Sequence, residues 1–258
     1  MSTIPTPEDR PNIATPDAVA PEPAEAPLTG ASRIARSARE WCLTLVVVAA
    51  VLLPLRSSVA DWHDVPSGSM RPTIIEGDRI WVNKLAYGLR FPFTRAWVAR
   101  WDAPARGDIV TFASPADGRR LVKRVIGLPG DRISMMGNRL FVNGEPVAYT
   151  IVERDVQGTL PDGRPARQIL ARERLPGGAE HPIAITPGLA SPSTFAEIVV
   201  PPGQYFVMGD NRDQSLDSRS LGFVDESAIY GRARHVALSL DRSNWFLPRF
   251  DRFLTRLP

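Results

Sequence analysis

Leu121-Val122-Lys123-Arg124-Val125-Ile126, followed directly by Gly127-Leu128-Pro129-Gly130-Asp131, decides how this chain is read. Alternation puts Leu121, Lys123 and Val125 on one face of an extended strand and Arg124 on the other. Leu128-Pro129-Gly130-Asp131 is a turn by composition. The same strand-and-turn rhythm extends outward. Asp78-Arg79-Ile80-Trp81-Val82 alternates polar and apolar, as a half-buried strand does. Ile109-Val110-Thr111-Phe112 follows Gly107-Asp108, and Gln204-Tyr205-Phe206-Val207-Met208 is a further apolar run. Leu140-Phe141-Val142-Asn143-Gly144-Glu145 reads as a hairpin with Asn-Gly at its tip. The 25 prolines and 19 glycines favour short strands and many turns over long helices.

The expected fold is therefore mostly β, an antiparallel β domain with an inserted smaller β subdomain, preceded by one N-terminal transmembrane helix. The main β domain is placed at 64–137 and 200–240. The insertion is placed at 138–199, where the chain turns polar and rich in Gly, Pro and Arg. A basic-aromatic tail, 241–258, contains Trp245, Phe246, Arg249, Phe250, Arg252 and Phe253. That composition suits either an interfacial membrane contact or packing on the domain surface.

Residues 1–32 are rich in Pro, Ala and Thr, carry several acids and have no aromatic residue. Such a segment cannot bury enough apolar surface to offset its ordering entropy, and it reads as a disordered cytoplasmic tail. Arg33, Arg36 and Arg39 precede the apolar run 41–55. An anchor over 39–60 reaches across a bilayer if its end arginines snorkel to the headgroups. The arginines place the tail in the cytoplasm and the rest of the chain outside. A cleaved signal is the rival reading, because Ser58-Val59-Ala60 has a small-x-small pattern. A buried helix is the other.

The formal net charge is only +3, and no zinc spacing, recognition helix or basic-aromatic motif argues for a nucleic-acid partner. Cys42 is the single cysteine, so no intrachain disulfide can form. His63, His181 and His235 lack ligand spacing, so neither a metal nor a cofactor is expected.

Of the 31 basic residues only Lys84 and Lys123 are lysines. Burial can make a lysine a neutral base, whereas arginine stays protonated. Lys84 follows Asn83 at the end of a strand and reads as a solvated surface lysine. Lys123 lies between apolar neighbours on its face and reads as desolvated. Pro66-Ser67-Gly68-Ser69-Met70 places a small serine cluster shortly after the membrane run. A serine hydroxyl needs a base, and a lysine whose pKa falls toward ~7–8 can supply it. Gly209-Asp210-Asn211-Arg212-Asp213-Gln214-Ser215-Leu216-Asp217-Ser218-Arg219 packs dense charge behind a buried-looking strand, which points to a rigid polar network.

Taken in order, these blocks resemble the bacterial type I signal peptidases. The matching stretches are PSGSMRPTIIEGDRIWVNKLAYG (66–88), RGDIVTF (106–112), LVKRVIGLPGD (121–131), RLFVNGEPV (139–147), VPPGQYFVMGDNRDQSLDSRSLGFV (200–224) and IYGRA (229–233). The resemblance implies a membrane-bound serine endopeptidase that removes signal peptides from exported preproteins after small-x-small sites. It implies Ser69 as nucleophile and Lys123 as general base. It implies an oxyanion hole from the Ser69 amide and the Ser67 hydroxyl, with Ser215 orienting the lysine. Arg124 with Asp210, and Asp217 with Arg219, would be structural ion pairs. Met70, Ile74 and Leu121 would line a shallow pocket for a small residue. The implied partners are preproteins and the lipid bilayer. The implied location is the bacterial inner membrane, crossed once, with the catalytic domain on the periplasmic side. Some family members carry two membrane segments before PSGSM, where this chain shows one.

Three rivals follow. A self-cleaving repressor would need a DNA-binding helix-turn-helix where this chain has its tail and membrane run. A non-enzymatic anchored β module would hold extended segments without needing Ser69. A related peptidase dedicated to one substrate would share the same residues.

Overall fold

The computed structural model describes residues 30–94 and 96–258. Most of the disordered-tail reading therefore lies outside the described residues. Gly30 to Ser32 already belong to the helix Gly30–Ser58. The chain divides into two compact units after Val48, and the second runs from Ala49 to Pro258. Among the described residues no helix is long and apolar enough to cross a membrane. The physical reason is the short apolar run 41–55, against the ~20 residues a span needs. Trp41, Leu45, Val47, Val51 and Leu52 on this helix are exposed. The helix stops at Ser58, and Ala60, expected to close the anchor, instead opens the strand Ala60–Asp64 opposite Asn83.

The protein is mostly antiparallel β with few helices. The largest sheet has eight strands. In spatial order its path runs Ala60–Asp64, Asp78–Asn83, Ile229–Asp241, Ile109–Ala113, Arg120–Gly127, Gln204–Met208, Val224–Asp225, with Leu247–Pro248 added to Ile229–Asp241. Arg120–Gly127 is interior. Arg124 faces Ile109 in one neighbour and Met208 in the other. Lys123 is 2 % exposed and Arg124 1 %, so both faces of the strand are covered at this point, although the two side chains point to opposite sides.

Phe195–Val199, Arg132–Met136, Arg139–Val142 and Glu145–Pro146 form a second sheet, in that order. Arg132–Met136, which its sequence groups with the main domain, thus pairs with strands of the 138–199 stretch. Ala148–Thr159, Pro165–Arg174 and Glu180–Ile185 form a third sheet. One apolar cluster runs through both regions, joining Ile126, Phe206 and Met208 to Ile133, Leu140 and Leu175. The Asn-Gly hairpin forms where its sequence places it. Asn143 and Gly144 take φ of 57° and 83°, the left-handed pair that a two-residue hairpin turn requires.

Lys84 departs from its surface reading. Pairing of Ala60–Asp64 with Asp78–Asn83 brings Asp61 to 3.3 Å from its Nζ, and Nζ also donates to the Ser57 carbonyl at 3.1 Å. The C-terminal segment divides its side chains. Leu257 is buried in a core cluster, and Arg252 pairs with the buried Asp78, while Trp245 is 92 % exposed.

Candidate active site

Ser69 sits in the 3-10 turn Gly68–Met70, in the connection between Ala60–Asp64 and Asp78–Asn83. Lys123 reaches it from the interior strand, with Nζ 2.8 Å from Ser69 Oγ and 2.9 Å from the Val122 carbonyl. Burial pushes the Lys123 ammonium down to about 8. The Asp217 and Asp210 carboxylates oppose that shift, and the Arg219 guanidinium adds to it. Ser67 Oγ lies 3.5 Å from Ser69 Oγ. Lys123 is therefore brought to two serines far from it in sequence by one strand and one tight turn.

The segment after Met208 runs against the back of this site. A Cβ on Gly209 would come within 2.4 Å of the Ser69 carbonyl oxygen and 2.2 Å of Ser215 Oγ, so only glycine fits there. Ser215 is not joined to Lys123. No hydrogen bond joins its Oγ to Nζ, whose partners are Ser69 and Val122; the Ser215 hydroxyl instead favours the ionised Asp217 carboxylate.

Arg124 Nε and Nη2 grip the two Asp210 carboxylate oxygens at 2.9 and 2.8 Å. Its Nη1 donates to the Gly107 carbonyl and to a main-chain oxygen of Pro258. Burial would raise the Asp210 carboxyl, but the Arg124 charge outweighs it and holds the group below its usual range. Asp217 accepts from Arg219 Nε and Nη2, each at 2.8 Å, and from the Gly209 amide at 2.9 Å. Burial opposes its ionisation, and the Arg219 contact more than offsets that.

Two cavities meet at Ser69 and Lys123. One, about 140 Å³, is lined by Val65, Met70, Leu121 and Val122 among others. The other, about 680 Å³, includes Gly68, Leu160, Asn211 and Leu216. Met70 and Leu121 thus fall in the small cavity. Ile74 lines neither; it is fully buried with Val65, Ile80 and Val82, because the chain after Met70 turns into the core.

Sequence reading missed a buried link to the insertion. Arg212 pairs with Glu173, its Nη1 2.7 Å from Oε1, and both are fully buried. His181 Nε2 lies 3.2 Å from Glu173 and 3.7 Å from Asp210. A signal for Glu173 was available, since strand alternation places it on the face of Ala171 and Leu175, both buried. Among the described residues no group of three or more side chains is gathered that could hold a metal.

The profile of the family described as signal peptidase, peptidase S26, matches residues 38–238. The chain belongs to this signal peptidase family. It is accordingly a hydrolase of the serine peptidase class. Signal peptidase I of Pseudomonas aeruginosa is 39 % identical over 215 residues, covering 78 % of this chain and 73 % of that protein. Signal peptidase I of Pseudomonas fluorescens is 38 % identical, with the same two coverages. Signal peptidase I of Rickettsia bellii is 32 % identical over 225 residues, 81 % of this chain and 76 % of that protein. A crystal structure of a signal peptidase I from Enterococcus faecalis is 28 % identical, covers 51 % of this chain and 97 % of its own, and has a TM-score of 0.31. The span matched to the signal peptidase family contains Ser67, Ser69, Lys123, Arg124 and the whole stretch from Gly209 to Arg219.

Proposed function

We propose that this signal peptidase removes N-terminal signal peptides from exported preproteins, with Ser69 as nucleophile and Lys123 as general base. The observation that carries this is the 2.8 Å contact between a surface-accessible serine and a buried lysine with a depressed pKa. Neutral Lys123 takes the Ser69 proton as Oγ attacks the scissile carbonyl. The developing oxyanion is received by the Ser69 amide and the Ser67 hydroxyl, and the ammonium then protonates the leaving amine. Water repeats the cycle to release the acyl group. Arg124–Asp210 and Asp217–Arg219 hold the strand and loop in place and take no proton. Nothing in this sequence of steps calls for a metal or cofactor.

Two features support the substrate class. The strand Gln204–Met208 pairs no further than Arg124, so Leu121 and Lys123 present an edge to which an extended substrate can add. The cavity of about 140 Å³ beside that edge suits a small side chain before the cleaved bond, in keeping with a small-x-small site.

A membrane anchor within the helix that ends at Ser58, with the catalytic domain on the outer side of the bacterial inner membrane, is part of the proposal. It is supported by the exposed apolar helix residues and by Trp62 and Trp81, exposed on the first two strands. A catalytic β domain with 138–199 as its insertion and 241–258 as its tail completes the reading.

Cleavage of a preprotein in detergent or lipid, with the product's new N-terminus sequenced, tests this. Wild type should cut after a small-x-small site and Ser69→Ala should not. Equal cutting by both would refute Ser69 as nucleophile. Cutting of a single preprotein only would favour the dedicated-substrate reading, and none by folded wild type the binding module.

The pH dependence follows from Lys123. Because the neutral amine is the active form, kcat/KM should climb tenfold per pH unit below about 8 and level off above it. The stability sign is opposite in origin. A lysine held lower in the folded state than its ordinary 10.5 costs the folded protein roughly 3 kcal/mol below pH 8, and this cost vanishes as pH rises from 8 to 10.5. A flat activity profile between pH 6 and 10 would remove the lysine base.

A further inference from the structure

We infer that Asn211 is the positioning residue that aims the oxyanion-hole amide of Ser69. Its side-chain Nδ2 donates to the Gly68 carbonyl at 3.0 Å, and its backbone N–H donates to the Ser69 carbonyl at 3.1 Å. The peptide unit is planar, with C=O and N–H pointing in opposite directions. Fixing the Gly68 oxygen therefore fixes the direction of the Ser69 N–H. Fixing the Ser69 oxygen sets the next peptide plane. One residue thus clamps both planes that flank the nucleophile's Cα. The Arg71 amide also reaches the Gly68 oxygen, at 3.1 Å, but it belongs to the same turn and moves with it. Asn211 is the anchor from outside.

Asn211 is itself held from the inserted region. Its side-chain oxygen accepts from Gln168 Nε2 at 3.5 Å, and Gln168 also donates to Thr186 Oγ1 at 3.0 Å. The Ala184 amide donates to the Asp210 carbonyl at 2.9 Å, and Ala184 and Asn211 form a parallel bridge. The Arg212–Glu173 pair locks the next residue to the same sheet. Asn211 is 1 % exposed, so its amide has no freedom to exchange these partners for water. The third sheet therefore reaches the chemistry through one amide side chain, rather than only covering it.

This inference rests on the proposed Ser69–Lys123 peptidase, and the test separates the two. A peptide aldehyde ending in the small residue before the cleavage site adds Ser69 Oγ to its carbonyl carbon. The Oγ proton passes to Lys123 and the aldehyde oxygen becomes the anion in the hole. The matching peptide alcohol binds the same groove without that anion. Wild type should hold the aldehyde at least ~100-fold more tightly than the alcohol, and Ser69→Ala should erase the gap. No gap in wild type would overturn the peptidase reading itself. Asn211→Ala should shrink the gap by ~10-fold or more and lower kcat by a similar factor, with alcohol affinity and KM within about twofold of wild type. Asn211→Leu fills the same space without a donor and should behave alike, so a folding failure of one variant leaves the test intact. An unchanged gap, or aldehyde and alcohol weakened equally, would overturn the positioning role.

Discussion

Lys123→Arg should lower kcat by about 10⁴-fold or more, measured on a peptide substrate at pH 9. At that pH wild-type Lys123 is mostly neutral, so the comparison isolates the base. The substitution keeps a positive charge and a long side chain, and it still offers donors to the Val122 carbonyl. What it removes is the lone pair. A guanidinium does not deprotonate in proteins, so it can donate to Ser69 Oγ but never accept its proton. The histidines offer no evident substitute. His181 is buried against Glu173 and Asp210, and His63 contacts Arg120 at 2.8 Å. Turnover by Lys123→Arg within tenfold of wild type would end the case for a lysine base. Burial explains why the residue can serve at all. The desolvation that lowers the ammonium to about 8 also disfavours folding, a cost the rest of the fold has to offset.

The strands were legible because their apolar residues alternate and their turns carry Gly, Pro and Asn at the required positions. Asn143-Gly144 is the clearest instance, since no other short pair takes two left-handed conformations so readily. Lys123 stood out because only one other lysine competes with it. The local sequence could not reveal how strands 132–136 and 195–199 come together, because that pairing joins segments separated by most of the 138–199 stretch. Nor could it show that Ile74 turns inward, since an apolar residue after a serine loop can face a pocket or a core equally well. Asn211 carried no local signal either. Its role depends on carbonyls of Gly68 and Ser69, more than a hundred positions away, meeting one amide group.

Asp210→Ala should destabilise the protein by about 3–5 kcal/mol, because it leaves the buried Arg124 guanidinium without the carboxylate it grips through two hydrogen bonds. Arg124 keeps single contacts to main-chain oxygens of Gly107 and Pro258, but these do not replace a bidentate carboxylate. Thr73 loses its acceptor as well, and His181 loses a nearby anion. The double variant Arg124→Met with Asp210→Leu should recover most of the loss, since it removes the orphaned charge along with its partner. Activity gives a second readout with a definite sign. The Asp210 carboxylate raises the Lys123 pKa, so deleting it, while Arg124 stays positive, should move the midpoint of the pH–activity profile below 8. Urea unfolding at pH 7 and the pH profile together check both effects. A loss under 1 kcal/mol, or a midpoint that moves upward, would mean that Asp210 neither balances Arg124 nor acts on Lys123 as the geometry requires.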